Sequence, residues 1–301
     1  MLVTANGRAY DVPPGKTVAA FIRERGLDPQ YVVVERNGEA LGRARYETLP
    51  LREGDRLELV RAVAGGSADG GETVLSGPST TASLGQWRRK RLGAARLYVV
   101  TDARRKQGDL AGFLDEILDA GADVIQLREK DAEAGDLLRC AEAFREAAER
   151  HQALFFVNDR PDVALACGAD GVHVGQGDLP PAFVRGLVGE DVLIGLSTHA
   201  PDQFAGAAPE SDYLCVGPVH ATPTKPGRPG TGLGLVAFAA AQAAAGAELR
   251  PWFAIGGIER TTLPDVVDAG ARRIVVVRAV TEADDPGAAV EALRRGLLLR
   301  D

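Results

Sequence analysis

The chain has 301 residues, enough for one large domain or two smaller ones, and its 45% hydrophobic and 26% charged residues are ordinary for a folded protein. A net charge of −7 argues against a nucleic-acid partner, although a few Lys and Arg in a cleft can still draw anionic small molecules. No apolar run reaches membrane-spanning length, the first residues lack a signal-peptide pattern, and Cys140, Cys167 and Cys215 are too scattered for a metal site; a cytoplasmic protein with reduced thiols is expected.

Residues 1 to about 63 read as a small unit of their own. Leu2-Val3-Thr4-Ala5 runs into Asn6-Gly7, a strong hairpin signal, and Ala9-Tyr10-Asp11-Val12 follows. Thr17 to Arg25 has helical spacing (Val18, Phe21, Ile22), with Gly26 as its stop. Tyr31-Val32-Val33-Val34-Glu35 is a strand turned by Asn37-Gly38, and Leu51-Arg52-Glu53-Gly54-Asp55 feeds the alternating strand Arg56-Leu57-Glu58-Leu59-Val60. Two strands, a helix and further strands are the order of a ubiquitin-like β-grasp domain. With the closing Arg61-Ala62-Val63-Ala64-Gly65-Gly66, these segments resemble the sulfur carrier protein of thiamine biosynthesis. The resemblance implies that a Gly65-Gly66 carboxylate is adenylated and then carries sulfur, with a thiamine-pathway adenylating enzyme and a thiazole synthase as partners of this domain. Two residues without Cβ atoms suit a tail that threads a narrow channel. Gly66 is internal here, so a sulfur-donating form requires cleavage after it; the alternative is that Gly65-Gly66 simply opens a linker.

Residues 67–92 are rich in Gly, Ser and Thr and then basic (Trp87-Arg88-Arg89-Lys90-Arg91). They read as a flexible linker between a domain of residues 1–66 and one of residues 93–301, the basic run being a surface helix, an electrostatic contact or a solvated face. Truncation to residues 93–301 is expected to leave the activity of the second domain largely intact.

From Arg96 onward the pattern is strand, helix, strand, repeated. Eight short apolar strands are predicted at Leu97–Val100, Asp123–Leu127, Leu154–Val157, Gly171–Val174, Leu193–Leu196, Tyr213–Val216, Trp252–Ile255 and Ile274–Val277, with helical spacing over Asp109–Ala120, Ala134–Arg150, Pro161–Gly168, Leu233–Ala247 and Thr262–Ala269. This is the pattern of a (β/α)8 TIM barrel, an α/β fold; no Gly-rich dinucleotide fingerprint follows the first strand to favour an open doubly wound sheet.

Parallel strands end on one side of a sheet, so the residues after each strand share a rim. That rim carries Gln126, Arg128, Glu129 and Lys130; Asn158 and Asp159; Gln176 and Asp178; Ser197, Thr198 and His199; Thr222, Thr224 and Lys225; Gly256 and Gly257; and Arg278. Asp159 and Asp178 are either helix N-caps or ligands for a Mg²⁺ that carries substrate phosphates. His173 lies inside a strand and reads as packed rather than reactive, and Arg128-Glu129 has the alternative of a rim ion pair.

Gln126-Leu127-Arg128-Glu129-Lys130, Val157-Asn158-Asp159-Arg160, Gly171-Val172-His173-Val174-Gly175-Gln176-Gly177-Asp178, Gly195-Leu196-Ser197-Thr198-His199, Thr222-Pro223-Thr224-Lys225 and Ala254-Ile255-Gly256-Gly257-Ile258 together resemble thiamine phosphate synthase. The resemblance implies the joining of hydroxymethylpyrimidine pyrophosphate to thiazole phosphate. It places Mg²⁺ on Asp159 and Asp178, and pyrophosphate on Arg128, Lys130, Lys225 and Ser197, with Ser197, Lys130 and Lys225 as the catalytic set. Gln126 and Asn158 fix the pyrimidine or a phosphate oxygen, and Thr222, Thr224 and Gly257 hold the thiazole phosphate. At Arg278 the family usually has Ser, so this position of the phosphate seat departs from the pattern. A thiazole tautomerase-like barrel and a non-catalytic scaffold of the thiamine pathway are the alternatives.

Overall fold

The computed structural model describes residues 1–6, 8–25, 29, 32–41, 45–61, 84–222, 230–248 and 250–299. The chain divides into two units, Met1–Gly71 and Glu72–Asp301.

In the first unit, β1 (Leu2–Ala5) and β2 (Arg8–Asp11) pair antiparallel beyond Asn6, whose φ of 46° is the left-handed backbone that the Asn-Gly signal anticipates. Helix α1 (Val18–Arg23) starts where Thr17 Oγ1 accepts Ala20 N at 3.2 Å, and it buries Val18, Ala19, Phe21 and Ile22. β3 (Val32–Arg36) and β4 (Glu39–Leu41) form a second hairpin over Asn37 and Gly38, both at positive φ. β5 (Arg56–Arg61) lies between β1 and β3, parallel to the first and antiparallel to the second, giving the order β2-β1-β5-β3-β4. Helix and sheet share one core of Val3, Val18, Phe21, Ile22, Val34, Tyr46 and Leu57. The expected β-grasp is present. Gly65, Gly66 and the rest of 62–83 lie outside the described residues.

The second unit is a closed barrel of parallel strands: β6 (Leu97–Thr101), β7 (Val124–Leu127), β8 (Leu154–Asn158), β9 (Gly171–Val174), β10 (Leu193–Thr198), β11 (Tyr213–Val216), β12 (Trp252–Ile255) and β13 (Ile274–Val276). Outside it run α3 (Leu110–Asp119), α4 (Ala134–His151), α5 (Pro161–Cys167), α6 (Pro181–Val188), α7 (Pro201–Ala205), α8 (Gly232–Ala244), α9 (Leu263–Asp268), α10 (Arg278–Thr281) and α11 (Pro286–Leu298), after α2 (Leu84–Ala94). Strand residues alternate between two cores, as a two-residue period requires. Val99, Ile125, Phe155, Val172 and Ile194 face the helices, whereas Tyr98, Val124, Phe156, Tyr213 and Phe253 fill the interior. Two interior positions are glycine for reasons of space. A Cβ on Gly171 would lie 2.1 Å from the Phe156 ring, and one on Gly195 would lie 2.1 Å from the Tyr213 ring.

The structure corrects the linker reading for residues 84–92, whereas 67–83 lie outside the described residues. Residues 84–92 belong to α2, which is fastened to the start of the strands opposite the polar rim. Arg88, 2% exposed, gives Nε to Asp170 Oδ1 and Nη1 to Asp191 O, both at 2.8 Å, while Asp170 Oδ2 accepts Phe155 N at 3.0 Å. Trp87, Leu92 and Ala95 close over the interior aromatic cluster. The basic run is therefore structural. Its weak apolar periodicity hid this, because α2 docks through guanidinium groups as much as through hydrophobic side chains.

The cysteines are free thiols, Cys140 and Cys167 half-buried and Cys215 buried. Burial pushes the Cys167 thiol up to about 11. No helix among the described residues is long and apolar enough to cross a membrane.

Candidate active site

Strand direction brings the polar residues of the rim together around connected cavities. The acidic one, of about 650 Å³, is lined by Arg128, Lys130, Asn158, Asp159, Gln176, Asp178, Ser197 and His199 among others. Asp159 follows β8 with φ 60°, a backbone that Asp tolerates better than most residues, and its N–H is tied to His173 O at 2.8 Å. Asp178 curls back so that Oδ2 accepts Gly175 N at 2.8 Å. Neither carboxylate caps a helix: the N-caps of α5 and α6 are Arg160 and Pro180, without side-chain capping bonds. The two carboxyl groups instead face each other. Burial first, and then the charge and hydrogen bond of Asp178, hold the Asp159 carboxyl above the usual carboxylate range, against the pull of Lys130 and Asn158. Such a pair favours a proton or a cation.

A second cavity of about 540 Å³ continues from the first, and the two share Arg128, Asn158, His173, Ser197 and His199. Its far wall is made by Gly217, His220, Thr222, Gly256, Gly257, Thr262 and Arg278. The backbone packs closely here: a Cβ on Gly256 would lie 2.5 Å from Pro218, and one on Gly257 2.7 Å from His220 Cβ. Gln126, 3% exposed, reaches from inside the barrel into this cavity. Thr224 and Lys225 lie outside the described residues.

A family model described as thiamine monophosphate synthase matches residues 97–280. The chain belongs to this family. It is 55% identical over 217 residues to the thiamine-phosphate synthase of Mycobacterium bovis, which spans 69% of this chain and 96% of the relative. It is 56% identical over 200 residues to that of Acidothermus cellulolyticus, covering 66% and 92%. The solved thiamine phosphate pyrophosphorylase of Pyrococcus furiosus superposes with a TM-score of 0.61 at 32% identity, over 70% of this chain and 98% of that one. Residues 3–66 match the ThiS family. The chain is thus a thiamine-phosphate synthase-family transferase with an N-terminal sulfur-carrier-type domain, and nothing in these matches favours a tautomerase-like barrel or a scaffold.

Within this synthase-family barrel, several residues at the site were not singled out in the sequence. Tyr98 and Tyr213 lie in the interior with their hydroxyls 3.1 Å apart, and Tyr213 meets His173 Nδ1 at 2.9 Å. His173 is packed, as expected, but it also lines both cavities. The inward position of each Tyr in a two-residue period was the available signal, since a buried phenol needs a partner. Glu282 was missed as well; it faces Arg278 across 4.0 Å beside the second cavity and a third, smaller one. Among the described residues no ion pair joins Arg128 to Glu129, and Glu129 accepts Ala103 N at 3.3 Å instead.

Proposed function

We infer that the barrel joins hydroxymethylpyrimidine pyrophosphate to thiazole phosphate, giving thiamine monophosphate and free pyrophosphate. The observation that carries this reading is the pair of contiguous cavities, one holding facing carboxylates and cations, the other walled by close-packed glycines and Arg278. The acidic cavity takes the pyrophosphate and the second takes the thiazole phosphate, so that the residues common to both flank the reacting carbon.

The carbon–oxygen bond to pyrophosphate breaks with its electron pair leaving on oxygen, and the lone pair of the thiazole nitrogen forms the new carbon–nitrogen bond. Little acid–base chemistry is needed; stabilising the departing charge is the main demand. Arg128 and Lys130 neutralise that charge, with Lys225 as a further cation, and Ser197 donates a hydrogen bond to it. Gln126 and Asn158 orient the pyrimidine, while Thr222, Thr224, Gly257 and Arg278 seat the phosphate of the nucleophile.

The donor set suits Mg²⁺. Among the described residues no three His, Cys, Asp or Glu side chains converge as ligands, but two carboxylates completed by substrate phosphates are a usual Mg²⁺ arrangement. Asp159 and Asp178 would hold the ion, which supplies charge neutralisation at the pyrophosphate when bound.

The direct test is quantitation of both products with the purified chain, the two substrates and Mg²⁺. Equal amounts of thiamine monophosphate and pyrophosphate are expected; pyrophosphate release without thiamine monophosphate overturns the reading. In the same assay, Arg278→Ser is expected to raise the KM for thiazole phosphate by about fivefold with kcat little changed, because a half-exposed guanidinium adds modest affinity for a dianion. For the front domain, sulfur transfer through Gly66, with an adenylating enzyme and a thiazole synthase as partners, requires a chain ending at Gly66. Mass spectrometry of the protein from its native host is expected to find that fragment, and an intact chain throughout removes the carrier role.

A further inference from the structure

A line of buried hydrogen bonds crosses the barrel interior and ends at Ser197. Gln126 Nε2 donates to the Tyr98 hydroxyl at 2.6 Å. The Tyr98 and Tyr213 hydroxyls are 3.1 Å apart, and the Tyr213 hydroxyl is 2.9 Å from His173 Nδ1. His173 Nε2 is 2.9 Å from Ser197 Oγ. All of these side chains are more than nine-tenths buried, with exposures from 0% at Tyr98 and Tyr213 to 7% at His173. Burial pushes both tyrosine hydroxyls well above their usual range, so each keeps the single proton it has to give.

Proton counting then sets a direction. A phenol has one proton, and a neutral imidazole has one N–H and one acceptor nitrogen. Tyr98 already accepts from Gln126, so its own proton goes to Tyr213. Tyr213 in turn gives its proton to His173 Nδ1. That leaves the N–H of His173 on Nε2, where it donates to Ser197 Oγ. The opposite direction has Gln126 and Tyr213 both donating to Tyr98 and strands the Tyr98 proton in an apolar interior, which is costly. An imidazolium has the same defect one link later, at Tyr213. With its oxygen already accepting from His173, Ser197 is left with a hydroxyl proton to spend outside the line, and Ser197 lines both cavities.

We propose that Tyr98, Tyr213 and His173 are positioning residues that make Ser197 a donor toward the pyrophosphate cavity. The proposal rests on the proposed function for the identity of the acceptor; the polarity of the line does not. Were the line reversed, Ser197 would give its proton to His173 and turn a lone pair toward an anionic leaving group.

Nitrogen NMR of the histidine-labelled protein tests the polarity without any turnover. His173 is expected as the neutral Nε2–H tautomer, and a neutral Nδ1–H tautomer overturns the proposal. Kinetics test the consequence. Tyr213→Phe keeps the ring and cuts the line, and is expected to lower kcat about tenfold with the KM for thiazole phosphate unchanged. In a Ser197→Ala background the same change is expected to cost nothing more; additive losses overturn the positioning role. Tyr98→Phe provides the same comparison one link earlier should Tyr213→Phe fold poorly. A wild-type chain that makes no thiamine monophosphate refutes the proposed function, while the tautomer still decides the direction of the line.

Discussion

Asp178→Asn is expected to lower turnover by about 10²-fold or more, and Asp159→Asn by a similar factor, because each removes a full charge from the place where leaving-group charge is met. The same substitutions are expected to act oppositely on stability. The Asp159 carboxyl lies above its ordinary value through burial and through Asp178. A group raised in the folded state contributes stability that is full below the unfolded value and is lost as pH rises through the folded one. Asp159 by itself therefore withdraws stability as pH rises across the carboxylate range, opposite in sign to the lowered carboxyls of Asp55, Asp109, Asp115 and Asp162, so the difference between wild type and Asp178→Asn isolates its part. Asp178→Asn reduces that contribution, since the repelling neighbour is gone while the burial of Asp159 remains. Adding Mg²⁺ and pyrophosphate near neutral pH should raise the melting temperature of the wild type and leave that of the variant nearly unmoved. Undiminished turnover in either variant, with wild-type dependence on Mg²⁺, removes the metal assignment.

The second large effect is far from the chemistry. Arg88→Ala is expected to cost about 3–5 kcal/mol, roughly 10 °C in melting temperature, because it strands the Asp170 carboxylate under the barrel. Asp170→Asn in that background should recover part of the loss by neutralising the stranded charge. A chain beginning at residue 84 should melt and turn over like the intact protein, whereas one beginning at residue 93 loses Arg88, Trp87 and the bonds that α2 makes to Asp191. This reverses the expectation that residues 93–301 suffice. Thermal melts of the two truncated chains decide it, and equal melting temperatures would show that α2 is dispensable.

How much of the molecule can be read from its residues depends on the range of the forces involved. Strands β6 to β13 and helices α3, α4, α5, α8 and α9 follow from apolar spacing over a few residues, and the turns at Asn6 and Asn37-Gly38 follow from local backbone preference, whereas α11 was not singled out. The docking of α2 escaped because its partners, Asp170, Asp191 and Asp212, lie 80 or more positions away and no local pattern announces them. Asp159 and Asp178 were visible as rim residues, yet spacing could not separate capping from convergence.

Local order along the chain was enough to determine a β-grasp unit followed by a parallel barrel, and to put the family's phosphate-handling residues on one rim, because strand polarity alone sends every strand end the same way. Only the tertiary structure decided that Asp159 and Asp178 face each other, that two cavities share Ser197, and that two tyrosines and a histidine from β6, β11 and β9 form one line. Those facts belong to side chains that meet across a closed sheet, and closure is a property of all the strands together.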